Sequence, residues 1–185
     1  PAPAPAPGAV QAQFRSADLS VRLIGVVGAE HAKGTPVPDP GWVEYVLEIE
    51  NRGTRPLTVH NVKLLTPEGR YLDSAADYAE LAAPPDTAKV LAQDVAVRSV
   101  GIAAGQVIPY GGTIVGLLSG VASASSAQTQ ASARREFALR KIKEVELAPG
   151  GRMTGSAFLP RIQNPKALIL DWGRGNDARR AELPL

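Results

Sequence analysis

Apolar and polar side chains alternate along several stretches of this chain. Leu19, Val21 and Leu23 are separated by Ser20 and Arg22, the period of two that a half-buried strand requires. The pattern is clearest farther on, where Val43, Tyr45, Leu47 and Ile49 point one way and Glu44, Glu48 and Glu50 the other. A dry face opposite a wet, charged face predicts an antiparallel sheet rather than a parallel one buried on both sides. Between these strands, residues 28–41 hold His31, Gly34, Pro36, Pro38 and Pro40, which predicts a loop. After the turn Asn51-Arg52-Gly53-Thr54-Arg55-Pro56, a further strand is predicted from Leu57 to Leu65. Its apolar phase shifts between Val59 and Val62, the mark of a bulge near His60-Asn61. Thr66-Pro67-Glu68-Gly69 fits a type I turn. Residues 143–147, 152–159 and 166–172 read as strands, the first two joined by Pro149-Gly150-Gly151.

Between the two groups of strands the pattern changes. Ser74 to Ala83 is alanine-rich and predicts a helix, Pro84-Pro85-Asp86 breaks it and caps another from Thr87 towards Val100, and Ser132 to Lys143 predicts a last one. From Ser99 to Ala133 there is no charged residue and no histidine. Gly112, Gly116 and Gly120 recur there every fourth residue, so a helix would place all three on one face and admit a close backbone neighbour. Pro109 and the polar Ser/Gln/Thr end dilute this run. Its densest portion, Ile114 to Val121, falls short of the roughly 20 residues of a spanning helix. Two short helices docked on the sandwich as a hairpin are the expectation. The predicted fold is mainly β, an antiparallel immunoglobulin-like sandwich interrupted by an α-helical insertion, α+β overall. Its expected parts are a Pro/Ala-rich tether (1–13), a first half-sandwich (14–73), the Ala/Gly-rich helical insertion (74–142), a second half-sandwich (143–173) and a C-terminal tail (174–185).

Composition narrows the function classes. With 185 residues, 44% apolar and 21% charged, the chain can build a sizeable core. A net charge of +2 is too weak to argue for nucleic acid as a partner. The absence of cysteine removes disulfides, thiolate catalysis and cysteine zinc sites. The Pro-Ala alternation from Pro1 to Pro7 reads either as an extended spacer or as a disordered tail with no spacing role.

Candidate chemistry is sparse. His31 and His60 lack a second histidine at ligand spacing, so no metal is expected. Ser119 sits outside any nucleophile-elbow pattern, and Gly173 and Gly175 follow a strand instead of opening a helix. Glu44, Glu48 and Glu50 read as a charged solvent face rather than an acid/base set. Trp42 and Trp172 are expected to seal the ends of the sandwich. Arg134, Arg135, Arg140, Lys141 and Lys143 form a candidate basic patch, with Phe137, Ala138 and Ile142 on the packed side. The close-packing candidates are Gly112, Gly116 and Gly120. No catalytic residue and no cofactor is expected.

Two passages carry a resemblance. Val46-Leu47-Glu48-Ile49-Glu50-Asn51-Arg52-Gly53 followed by Pro56-Leu57 resembles a strand-and-turn passage of bacterial envelope immunoglobulin-like domains. Leu147-Ala148-Pro149-Gly150-Gly151, then Gly155-Ser156-Ala157-Phe158-Leu159-Pro160, resembles their late hairpin. Many such proteins are Gram-negative lipoproteins, some with an Ala/Gly-rich helical segment between the halves. The resemblance, covering roughly residues 43–172, implies a periplasmic or outer-membrane address, with a lipid anchor ahead of residue 1 as membrane contact. The expected function is a non-catalytic structural or interaction domain that binds another envelope protein or itself. The alternative is a membrane-inserting or oligomer-forming protein acting through residues 99–133.

Overall fold

A computed structural model describes residues 11–28, 41–82, 84–85 and 127–185. The strands among them are β1 (Ala12–Arg15), β2 (Leu19–Val27), β3 (Trp42–Asn51), β4 (Leu57–Leu65), β5 (Tyr71–Asp73), β6 (Val145–Leu147), β7 (Arg152–Pro160), β8 (Ala167–Arg174) and β9 (Asp177–Pro184). All strand pairs are antiparallel. One sheet has the order β1-β2-β3-β7 and the other β5-β4-β8-β9, with β6 on the same edge of β4 as β5. The architecture is mainly β, two sheets stacked as a sandwich.

The period-two pattern is what closes it. Leu19, Val21, Leu23, Val43, Tyr45, Leu47 and Ile49 from the first sheet meet Leu57, Val59, Val62, Leu64, Leu168, Leu170 and Trp172 from the second in one buried core. At about 25 cal/mol per Å² of apolar surface, this core is the main source of stability. The register of β4 on β8 shifts between Val59 and Asn61, placing the bulge where the apolar phase slips. Gly69 donates its N–H to the Thr66 carbonyl at 3.0 Å, closing the turn at 66–69.

Three strands, β1, β5 and β9, fall where the sequence suggested none. Residues 174–185, expected as a tail, contain β9, which pairs along the whole of β8. Gly175, at φ 59°, and Asn176 form the two-residue hairpin that turns the chain back, with Arg174 opposite Asp177. Only Ala181 and Leu183 of β9 are buried, so its apolar alternation is thin. β1 overlaps the end of the expected tether.

Helical structure is limited to a 3-10 helix at Tyr78–Ala82 and α1 (Ala127–Arg140) among the described residues. The predicted helix from Thr87 to Val100 and the Gly112, Gly116 and Gly120 face lie outside the described residues, as do His31 and Ser119. The turns at 16–18, 51–56, 148–151 and 175–176 gather at one end of the sandwich, here called the turn end. β1 runs towards it and β9 away from it.

Candidate functional site

The segment between the two groups of strands leaves and rejoins the sandwich at one place, the outer edge of β7. Ala75 donates its N–H to the Phe158 carbonyl at 2.8 Å, and Ile142 donates to the Ser156 carbonyl at 3.0 Å. These acceptors are two residues apart on one strand, so departure and return are separated by about 7 Å. An open sheet edge is a template for unwanted pairing, and here both flanks of the segment cover it. Gly155 makes the approach feasible. A Cβ at that position would stand 2.8 Å from the Arg140 carbonyl oxygen and 2.7 Å from Ile142 Cγ1.

Polar side chains tie the two flanks together. Lys141, on the returning side, donates from Nζ to the Ala76 carbonyl at 3.0 Å on the departing side. Lys143 Nζ lies 3.6 Å from Asp73 Oδ2. The bulge in β4 presents Asn61, whose amide nitrogen donates to Asp73 and whose oxygen accepts from Ser74 Oγ at 2.9 Å. The Ser74 N–H donates to Asp73 Oδ1 at 2.8 Å. Glu80 then caps the 3-10 helix, accepting from the N–H groups of Ala76 and Asp77 at 3.0 Å each.

Over the outer face of the first sheet these flanks build a second, smaller core of Trp42, Ala75, Leu81, Phe137 and Phe158, with Tyr78 against it. Phe137 anchors α1, its ring 5.0 Å from Phe158 and 6.1 Å, edge-on, from Tyr78. Burial pushes the Tyr78 phenol above its ordinary value, partly opposed by the charge of Arg134.

Glu44 departs from expectation here. It occupies the outer face, in the row of Glu48 and Glu50, yet it is 0% exposed because the second core covers its end of the strand. Ser156 Oγ donates to Glu44 Oε1 at 2.7 Å, the kind of hydrogen bond a carboxylate taken out of water requires. Glu48 and Glu50 stay partly exposed and pair with Arg22 and Arg152 respectively. Trp42, at the end of β3 opposite Pro160, packs in this outer cluster, whereas Trp172 lies in the main core.

The five cations read as a basic patch are placed differently from one another. Arg134 and Arg135 are exposed on α1, Arg140 pairs with Glu136 one turn earlier at 2.5 Å, and Lys141 and Lys143 hold the flanks as described. Phe137 and Ile142 are buried, and Ala138 is exposed. His60 Nδ1 lies 3.1 Å from Glu144 Oε2, at the bulge. Among the described residues no group of three or more His, Cys, Asp or Glu is arranged to hold a metal ion. The sequence did not single out Asp73, Ser74 or Ser156, and it marked Asn61 only as part of the bulge. The predicted bulge was the one local signal, since it turns Asn61 out of the strand's alternation.

The polar groups described around this edge hold two chain segments to β7 and to each other. Comparison of the chain with protein-family models, with curated proteins and with solved structures returned no match.

Proposed function

We propose that this protein is a non-catalytic binding module of immunoglobulin-like architecture. Its sandwich would display the segment between Ala75 and Ile142 to recruit another envelope protein or a second copy of itself. The observation that carries this reading is the paired docking of that segment's two flanks on β7, about 7 Å apart and linked directly by Lys141. A mount of this kind lets the sandwich fold on its own core while the segment varies, which is how loops positioned by a rigid scaffold carry function. What supports the immunoglobulin-like topology is the strand order. With β2, β3, β4, β7, β8 and β9 taken as A, B, C, E, F and G, one sheet is A-B-E and the other contains C-F-G.

The envelope address rests on the two passages that resemble bacterial envelope domains, and these passages meet in the fold. Asn51 donates from its side chain to the Leu147 carbonyl at 2.9 Å, and Gly150 donates to the Asn51 carbonyl at 2.9 Å. An N-terminal lipid anchor ahead of residue 1 fits the same reading.

Replacing residues 83–126 with a short Gly/Ser linker tests the proposal. The shortened protein is expected to melt close to the parent while losing self-association, measured as solution mass, and capture of envelope proteins. Retention of both activities would sink the proposal. Loss of liposome binding as the main effect would move the function to the membrane instead.

A further inference from the structure

The turn end of the sandwich concentrates arginine. Arg15 closes β1, Arg52 and Arg55 sit in the β3–β4 turn, Arg152 opens β7, Arg174 closes β8 and Arg179 lies on β9. Three carboxylates, Asp18, Glu50 and Asp177, pair with three of these arginines, and Glu146 lies near the same end on β6. Asp18 takes Arg174 at 2.9 Å and Arg179 at 3.0 Å, Asp177 takes Arg179 at 2.8 Å, and Glu50 takes Arg152 at 2.9 Å. Arg15, Arg52 and Arg55 are exposed and, among the described residues, in ion-pair contact with no carboxylate. The field they make is felt at Glu50. Its carboxyl is held below the ordinary value first by the Arg152 hydrogen bond and then by the charges of Arg152, Arg52 and Arg15.

Arg52 and Arg55 stand on a braced turn, and Arg15 is held in register opposite Ser20 at the end of β1. The Arg52 N–H donates to the Asp18 carbonyl at 2.8 Å, and its guanidinium reaches the Ser16 carbonyl at 3.3 Å. The Arg55 carbonyl is fixed by the Asn51 amide at 2.8 Å. Bracing of this kind reduces the ordering cost of binding, and each guanidinium offers a planar fork that matches a carboxylate. β1 runs towards this end and β9 away from it, and the flanks at Ala75 and Ile142 dock elsewhere, so the surface is separate from the mount on β7.

We propose that the turn end is a docking surface for an acidic protein segment, whose side-chain carboxylates pair with Arg15, Arg52 and Arg55. The interspersed carboxylates favour this partner over a polyphosphate. Asp18, Glu50 and Asp177 would repel a continuous row of phosphates, whereas a protein segment brings discrete carboxylates together with N–H donors that the three acids accept.

The test is a fluorescence-anisotropy titration of the full chain with a labelled oligoglutamate peptide at low salt. Single-stranded oligonucleotide and phosphatidylglycerol vesicles serve as competing probes. The triple variant Arg15→Gln/Arg52→Gln/Arg55→Gln is compared with Arg70→Gln/Arg134→Gln/Arg135→Gln, which removes the same charge at exposed positions away from the turn end. Peptide affinity is expected to fall about tenfold in the first variant, the product of three modest exposed pairs, and by less than about twofold in the second. Charge reversal in the single variant Arg55→Glu should weaken binding as well, which guards against misfolding of the triple variant. Equal losses in the two triple variants would overturn the proposal. So would failure of the parent to bind the peptide, or preference of the parent for oligonucleotide or vesicles.

Discussion

Asn51 offers the sharpest test of how the turn end is held together. The side chain is 0% exposed and makes three hydrogen bonds. Its Nδ2 donates to the carbonyls of Arg55 at 2.8 Å and Leu147 at 2.9 Å, and its Oδ1 accepts from the Gly53 N–H at 3.0 Å. One amide thereby joins β3, the turn that follows it and the end of β6. Asn51→Ala removes a hydrogen bond from each of the three partners, at about 1–3 kcal/mol for each group that stays buried. The Arg55 and Gly53 groups lie in a surface turn and regain water, whereas Leu147 is only 7% exposed and its carbonyl does not. The expected loss is therefore roughly 2–4 kcal/mol, a large share of the ~5–15 kcal/mol that stabilises a domain. Asn51→Asp has nearly the same shape but turns a carboxylate towards two carbonyl oxygens. That environment raises its folded pKa above the unfolded value of about 3.9. A raised folded pKa means that the stability of this variant is fully present below the unfolded pKa and is lost as pH rises through the folded one. Urea unfolding at pH 4 and pH 7 should thus show the deficit relative to the parent widening with pH. A deficit equal at both pH values, or an alanine variant within about 0.5 kcal/mol of the parent, would refute the assignment of these bonds.

Three further outcomes are expected. Phe137→Ala removes the anchor of α1 from the outer cluster while leaving the main core intact. Tryptic cleavage at Arg134, Arg135 and Arg140 should accelerate on the order of 100-fold, as ~3 kcal/mol of lost burial shifts the local opening equilibrium, while the global melt moves little. Gly155→Ala pushes a Cβ against the Arg140 carbonyl, so it should lower stability by about 1–3 kcal/mol and expose the same cleavage sites. The lowered pKa of Glu50 adds stability above its ordinary value of 4.5 that is lost as pH falls through the folded value. Arg152→Gln should therefore flatten the acid limb of a thermal-stability profile, and an unchanged limb would remove Arg152 as the cause.

Strand positions were legible where one residue in two carries the signal. Leu19-Val21-Leu23 and Val43-Tyr45-Leu47-Ile49 state which face is dry because alternation is local, and the phase slip at His60-Asn61 states where the ladder breaks for the same reason. β9 was not legible, since Ala181 and Leu183 give it only two buried side chains and its strand geometry comes from hydrogen bonds to β8. The Gly175-Asn176 pair was the available hint. Glu44 shows the other boundary. Alternation placed it on the outer face correctly, but periodicity carries no information about what later covers that face, and the covering residues Phe137, Leu81 and Phe158 come from distant parts of the chain. The meeting of Asn51 with Leu147, and of Ala75 and Ile142 on neighbouring positions of β7, likewise depends on contacts far apart in sequence. By itself the order of residues determined the dry faces, the turns and the bulge, because each is settled within a few positions. Only the tertiary structure decided which charges are buried and which segments share an edge, because those depend on what the completed sheets bring together.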